Sequence, residues 1–261
     1  MRNRLTPAGI VALSGLALVA CSGGTQEIAS PSPFAPALPF HDGFEEVPTF
    51  SALFSEDGSR WHGQQIDPQQ NSANLASDRA HSGEQSVKFY ADRYDGFHAS
   101  KADLQLTGLT LAKGDHVWFS GWYFLEDALD SRWLFLWDLE DTNHMNSPGR
   151  RLYLSEGEAL ASDLGKWWTG DVFRQSADRY TPFPKDRWVE LVVHLYLSEG
   201  KDGVMEVWQD QSLVLSAEGQ TLPTATSTYD RLQVGITANG NQDHAQVLYV
   251  DEITLSIQPL R

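Results

Sequence analysis

The sequence has 261 residues, 41% of them hydrophobic, and a single cysteine. This composition allows one large domain with its own core, and it excludes global disorder, an internal disulfide and a cysteine-rich metal site. The formal charge of −16, from 19 Lys and Arg against 35 Asp and Glu, excludes nucleic acid as a favoured partner, because such a surface repels a polyanion.

The chain begins with a short basic segment and an apolar run. Two arginines precede the apolar residues 8–20, a pattern that is typical of a secretory signal and too short for a stable membrane span. The run ends in LVAC (residues 18–21), which resembles the lipobox of bacterial lipoproteins. The resemblance implies cleavage before Cys21 and a lipid such as palmitate on that cysteine. Because Ser22 follows it, the resemblance also implies an outer-membrane lipoprotein of the cell envelope, with the lipid bilayer as a partner.

The segment after the cysteine is different in composition. Residues 22–40 are rich in Ser, Ala, Pro and Gly and have no apolar periodicity, so they read as a tether that proline partly stiffens. We therefore predict a signal peptide over 1–20, a lipidated cysteine and tether over 21–40, and one domain over 41–258. No internal repeat of fixed period is visible.

The predicted domain consists of short runs rich in Val, Trp, Tyr and Phe, separated by turn residues, which favours β-strands. In residues 188–197 (WVELVVHLYL) alternate positions form one wholly apolar face and one mixed polar and aromatic face. Such alternation predicts a strand with one face on the core and the other on a groove or solvent. Many short strands with frequent turns indicate a sandwich or jelly roll. The other predicted runs are 85–91, 116–125, 132–139, 203–209, 212–216, 232–237 and 246–257.

Several segments together resemble the concanavalin A-like jelly rolls. Residues 42–45 (DGFE), 80–89 (AHSGEQSVKF), 202–210 (DGVMEVWQD) and 249–253 (YVDEI) are similar to segments of that group. The nearest likeness is to heparin lyase-type and related jelly-roll polysaccharide lyases, and carbohydrate-binding modules share most of these segments. The resemblance implies an all-β sandwich of two antiparallel sheets and polysaccharide as the partner. We expect a monomer that is a polysaccharide lyase, a non-catalytic carbohydrate-binding lipoprotein, or a structural or adhesive envelope protein without a sugar site.

A lyase that cleaves a uronate polysaccharide by β-elimination needs three kinds of group. One neutralises the sugar carboxylate, a base removes the C5 proton, and an acid protonates the leaving oxygen. His194 and Tyr196 are two residues apart on one predicted strand and share its mixed face, so we predict that they are the base and the acid. Arg150 and Arg151 are the predicted carboxylate clamp, placed in a loop. The alternative is that His194 and Tyr196 are ordinary, half-buried sheet residues.

Two stretches depart from the lyase pattern. Residues 136–139 (LWDL) stand where related lyases carry Gln-x-His, and residues 235–240 lack the tyrosine expected near the penultimate strand. Asp138 and Glu140, two apart on one strand face, suggest instead a carboxylate pair for glycoside hydrolysis. In a chain with 35 acidic residues such spacings also arise by chance, as solvated charges.

Aromatic rings offer a second route to carbohydrate, because flat rings stack on sugar faces. Trp133, Phe135 and Trp137 alternate along one run and would share a face, and Trp118 and Trp122 share another. Core packing is the alternative for these strand tryptophans. The predicted substrate-binding residues are Trp167, Trp168, Trp208 and His144.

One metal site is expected from the resemblance. In the related modules an acid of the first strand and an acid of the last strand share a structural calcium, and the matching positions are Glu45 and Asp251. Carboxylate oxygens suit calcium, and backbone carbonyls would complete the ligand set. The alternative is two ordinary surface acids. The histidines lack zinc-ligand spacing.

Overall fold

The computed structural model describes residues 35–55, 60–126, 130–165 and 170–260. It divides the chain into two units, residues 1–31 and 32–261, and every described residue belongs to the second. No helix within the described ranges is long and apolar enough to cross a membrane. The predicted signal peptide, Cys21, Trp167 and Trp168 lie outside the described residues.

The described residues form fifteen strands joined by short connections. Three one-turn 3₁₀ helices lie in the connections, at Phe50–Leu53, Glu156–Glu158 and Ala177–Arg179. The strands are β1 (Phe40–Asp42), β2 (Gly63–Asp67), β3 (Ser72–Ala76), β4 (Ser86–Ala91), β5 (Ser100–Ala112), β6 (His116–Leu125), β7 (Leu134–Glu140), β8 (Gly149–Leu154), β9 (Leu160–Leu164), β10 (Phe173–Arg174), β11 (Trp188–Tyr196), β12 (Val204–Gln209), β13 (Ser212–Glu218), β14 (Thr228–Asn239) and β15 (Gln246–Ser256).

The strands make two antiparallel sheets. The first sheet has the order β13-β12-β11-β6-β15-β4-β3, and β1 also pairs with β15. The second sheet has the order β10-β9-β8-β7-β14-β5-β2. Hairpins at the sheet edges alternate with central pairs that are distant in sequence, such as β6 with β15 and β7 with β14, as in a jelly roll. The predicted all-β sandwich of two antiparallel sheets is therefore confirmed.

One apolar layer holds the two sheets together. The predicted apolar face of β11, including Val189, Leu191 and Leu195, is fully buried in it, while the other face is half-buried. Phe119 of β6 and Trp137 of β7 meet across the layer with ring centroids 5.6 Å apart. Each large side chain buried in this way stabilises the fold by roughly 1.5–3 kcal/mol.

A β-bulge in β7 changes which side chains face outward. The register with β8 shifts between Phe135 and Trp137. Leu136 and Trp137 both point into the core, while Phe135 packs with Tyr153 on the outer side. The prediction that Trp133, Phe135 and Trp137 share one face is therefore wrong, because a bulge adds a residue and breaks the alternation.

Candidate active site

A row of polar side chains crosses the outer face of the second sheet, and we call it the polar strip. It consists of Asp163, Arg151, Asp138, Gln233 and Gln105, which are paired in register across β9, β8, β7, β14 and β5. Directly paired residues on neighbouring antiparallel strands lie about 5 Å apart and interact. The strip is thus a continuous line of charged and amide groups.

The polar strip is recessed although it faces away from the core. Asp138 is 3% exposed and Gln233 is 1% exposed. Within the described part of the chain, no hydrogen bond reaches the buried Oε1 of Gln233. A buried acceptor without a partner costs free energy, so its presence at an outer face points to a ligand group that completes it. The hydroxyl groups of a sugar are donors of the required kind.

Arg151 is the central cation of the strip. Its Nε and Nη2 donate to the two carboxylate oxygens of Asp163 at 2.8 and 2.9 Å, and its guanidinium lies 4.3 Å from the ring centre of Phe135. Burial disfavours its charge, but the bond to Asp163 and the charge of Asp138 outweigh burial and raise the pKa of Arg151. Gly165 passes so close that a Cβ there would lie 2.0 Å from Arg151 Nε. Only glycine fits against the guanidinium at this point.

Tyr153 lies two residues further along β8, on the same outer face. Its ring stacks between Trp133 and Phe135, with centroid distances of 5.7 and 4.8 Å. Burial raises the pKa of Tyr153, while the charges of Arg174 and Arg151 oppose that rise. The phenol is therefore protonated at neutral pH and can act as a proton donor.

Trp133 borders the same region in an unusual conformation. Its φ is +62°, its side chain is 41% exposed, and its backbone is fixed by bonds to Leu154 and Gly240. A left-handed backbone is strained for a bulky residue, and such strain concentrates at functional sites. The exposed indole beside Tyr153 is therefore a candidate sugar-stacking ring.

The predicted grouping of His194, Tyr196 and an arginine is not formed. His194 and Tyr196 share the mixed outer face of β11, as the alternation predicts, but β11 belongs to the first sheet and both arginines belong to the second. His194 Nδ1 donates to Glu206 at 3.0 Å, its Nε2 is hydrogen-bonded to His116 Nδ1 at 2.9 Å, and its ring stacks on Trp118. The apolar layer separates this cluster from the polar strip.

Arg150 and Arg151 lie in strand β8, so their predicted placement in a loop is wrong. Arg150 faces inward and is fully buried. It stacks on Phe173 at 3.8 Å, donates to the carbonyl of Asp171 at 2.8 Å and also donates to the carbonyl of Gln220. Arg150 therefore fastens the β9–β10 connection to the segment after β13, and only Arg151 can act as the clamp.

The two remaining predicted substrate contacts that the structure describes, His144 and Trp208, lie at different sheets. His144 lies in the β7–β8 connection, with Nδ1 2.5 Å from Asp141 Oδ2. Trp208 lies on β12 in the first sheet. Trp167 and Trp168 are outside the described residues, although Gly165, which touches Arg151, directly precedes their segment.

Asp138 and Glu140 are not solvated charges, because both are buried on the outer face of the second sheet. Glu140 accepts a hydrogen bond from Arg231 Nε at 2.6 Å and forms an ion pair with that residue. Glu140 is therefore held in an ion pair with Arg231. Of the two acids, Asp138 is the one that lies in the polar strip.

Glu45 and Asp251 both hold the segment 81–85. Glu45 Oε1 accepts from the backbone N–H groups of Glu84 and Gln85 at 2.9 and 2.8 Å. Asp251 Oδ2 accepts from those of His81 and Ser82 at 2.9 and 3.1 Å, and burial raises the pKa of Asp251 to about 6. Within the described ranges no three His, Cys, Asp or Glu side chains are grouped as metal ligands. Calcium here remains a prediction.

Sequence reasoning missed Tyr153 and the polar strip. The available signal was the spacing of Arg151 and Tyr153 in RRLYL, residues 150–154, which puts both on one strand face. The shared face of Arg151 and Tyr153 is hard to recognise in the sequence, because the buried Arg150 places a polar residue at a position where the strand alternation predicts an apolar one.

Comparison with known proteins agrees with this architecture. Residues 55–254 match a protein family described as polysaccharide lyase. No curated protein sequence matches the chain. Similar solved structures include an endo-β-1,4-glucuronan lyase from the fungus Trichoderma reesei, with 12% identity, 75% of this chain and 90% of that chain covered, and a TM-score of 0.61.

Two further structures have the same fold. The cellulose-induced protein Cip1 is 16% identical, with 84% of this chain and 98% of that chain covered and a TM-score of 0.62. The alginate lyase Aly36B is 10% identical, with 86% and 100% covered and a TM-score of 0.53.

Proposed function

The chain belongs to the polysaccharide lyase family, and we propose that it cleaves a uronate-containing polysaccharide by β-elimination at the polar strip. Two of the similar structures, the glucuronan lyase and the alginate lyase, are named for uronate polymers. The observation that carries the proposal is the pair Arg151 and Tyr153, a cation and a protonated phenol on the same outer face of β8.

The proposed reaction assigns one role to each group. Arg151 binds the uronate carboxylate and reduces its negative charge, which makes the C5 proton more acidic, while Oε1 of Gln233 accepts from a sugar hydroxyl group. Asp138 removes that proton, the electron pair of the C5–H bond becomes the C4–C5 double bond, and the C4–O bond breaks. Tyr153 then gives its proton to the leaving oxygen.

The test is absorbance of the unsaturated uronate product, measured with alginate, glucuronan and glycosaminoglycans as substrates. Replacing Tyr153→Phe removes the donor and is expected to lower kcat by about 100-fold or more. Asp138→Asn, which keeps the shape of the side chain, is expected to do the same.

Tyr196→Phe is the matched control, because it makes the same chemical change on the opposite sheet. It should leave kcat near that of the unmodified chain. If Tyr196→Phe abolishes activity and Tyr153→Phe does not, the site lies on the first sheet, as the sequence alone predicted.

A second candidate function is carbohydrate binding without cleavage. It is favoured by the ion pairs on this face, since Arg151 is bound to Asp163 and Arg231 to Glu140 before any substrate arrives. Binding of a uronate oligosaccharide with no absorbance change for any polymer of the panel would support this function against the lyase.

We also propose that Cys21 carries a lipid and anchors the domain in the outer membrane of the cell envelope. The support is the sequence of residues 8–22, an apolar run that ends in LVAC followed by serine. Radiolabelled palmitate should be incorporated into the chain and not into Cys21→Ser. An equally labelled Cys21→Ser variant would contradict the proposal.

A further inference from the structure

A cavity of about 550 Å³ opens on the outer face of the first sheet, and we call it the indole pocket. This volume is in the range of small-ligand sites in proteins. The pocket is built by β6, β11, β12, the turn after β12 and Leu260, which follows β15, so it shares no strand with the polar strip. Its lining includes Trp118, Ser120, Glu190, Val192, Trp208 and Gln211.

The floor of the indole pocket is formed by small side chains and its walls by large aromatic ones. Ser120 and Val192 are directly paired across β6 and β11 and form a low floor. Trp118 and Trp208 stand beside this floor and stack on each other, with ring centroids 6.1 Å apart and planes only 19° from parallel. Two half-buried indoles next to small side chains give the pocket a flat apolar surface.

The walls are held in place before any ligand binds. Trp118 stacks on His194 at 4.2 Å, and His194 is fixed by its bonds to His116 and Glu206. Trp208 is directly paired with Val192. A site whose rings are fixed by neighbouring groups loses little conformational entropy on binding.

The chemistry of the lining selects an uncharged sugar. Of the described residues that line the pocket, none is Lys or Arg, and Glu190 contributes a carboxylate. A uronate would meet that negative charge, and no cation among the described lining residues offsets it. Aromatic faces pack against the C–H faces of sugars whose hydroxyl groups are equatorial, while Glu190 and Gln211 can bind those hydroxyls.

We propose that the indole pocket is a second carbohydrate site, specific for an uncharged glycan with equatorial hydroxyls such as a β-1,4-linked glucan. It is independent of the polar strip, where the cationic Arg151 is suited to a charged sugar. The molecule thus binds two kinds of glycan on its two outer faces.

The test is calorimetric titration of the chain with cellohexaose. We expect saturable binding that Trp208→Ala weakens by about tenfold or more, as truncation of an aromatic anchor does. Trp188→Ala is the matched control, since Trp188 lies on the same face of β11 but packs on Phe124 and His81 outside the pocket. Trp188→Ala and Tyr153→Phe should each leave the affinity within about twofold.

Two outcomes overturn the proposal. One is the absence of cellohexaose binding by the unmodified chain, and the other is equal affinity of the unmodified chain and Trp208→Ala. Trp208→Leu keeps apolar volume but removes the flat ring, so it replaces Trp208→Ala if that variant does not fold. Because the titration uses no uronate, its result does not depend on the lyase assay.

Discussion

At the scale of single residues, neighbouring side chains have separate roles because alternate residues of a strand face opposite sides. Arg150 and Arg151 show this most clearly. The first is a buried cation that binds two backbone carbonyls, and burial lowers its pKa to about 10. The second lies in the polar strip and binds Asp163.

We expect Arg150→Ala to reduce mainly the stability of the fold and Arg151→Ala to reduce mainly the lyase activity. Arg150→Ala should lower the free energy of unfolding by roughly 3 kcal/mol, because it removes packing on Phe173 and leaves the partly buried carbonyls of Asp171 and Gln220 without this donor. Arg151→Ala should lower kcat/KM by about 100-fold, with a smaller loss of stability. Urea unfolding and the absorbance assay measure the two effects, and a reversed pattern would refute the assignment.

Trp133→Gly should affect stability and substrate binding differently. Glycine relieves a left-handed backbone strain of about 1–2 kcal/mol, which offsets the lost stacking on Tyr153. The melting temperature should therefore change little, while KM should rise because the exposed ring is gone. An unchanged KM would show that the strained indole has no part in binding sugar.

The pH profile tests the role of Tyr153. Burial raises its pKa above the ordinary phenol value of 10.0, and the proposed role requires the protonated form. The rate should therefore be insensitive to this group at neutral pH and fall only as pH rises beyond about 10. If kcat instead increases with pH, with a pKa typical of a phenol, then Tyr153 acts as the base and not as the acid.

At the scale of strands, the sequence was informative wherever alternation was regular. The prediction for residues 188–197 matches the facing of β11 and its first residue, and the strand ends one residue earlier, at Tyr196. The β7 bulge and the inward Arg150 of β8 are both irregularities, and they misled the sequence reasoning there. The residues of the polar strip lie on β5, β7, β8, β9 and β14. Their proximity depends on the order of these strands in the sheet, which the residue pattern within each strand does not reveal.

The connection formed by residues 81–85 gives the calcium prediction a direct test. Glu45 and Asp251 already bind its backbone N–H groups. If calcium also binds, saturating calcium should raise the free energy of unfolding by about 2.7 kcal/mol at 100 times Kd. Glu45→Gln should abolish that increment, while Glu84→Gln is the control. Equal melting temperatures in calcium and in EDTA would exclude the site.

At the scale of the whole molecule, the charge of −16 opposes the approach of a polyanionic substrate. Added salt shortens the range of this repulsion, to about 8 Å at 0.15 M. We expect kcat/KM for a uronate polymer to rise severalfold from about 10 mM to about 150 mM salt. Cellohexaose binding should not change over that range. A fall in kcat/KM would mean that local cations dominate the encounter.

The pairing of β1 with β15 also determines when the domain can fold. β15 lies between β6 on one side and β4 and β1 on the other, with Phe40 opposite Leu255. The middle of the first sheet is therefore formed by the last described strand in chain order, and without it β13-β12-β11-β6 and β4-β3 would be separate pieces and β1 would be unpaired. Contacts this distant in sequence give a high contact order and slow folding. The first sheet can be completed only after β15 has been synthesised, and the earlier strands must avoid aggregation until then.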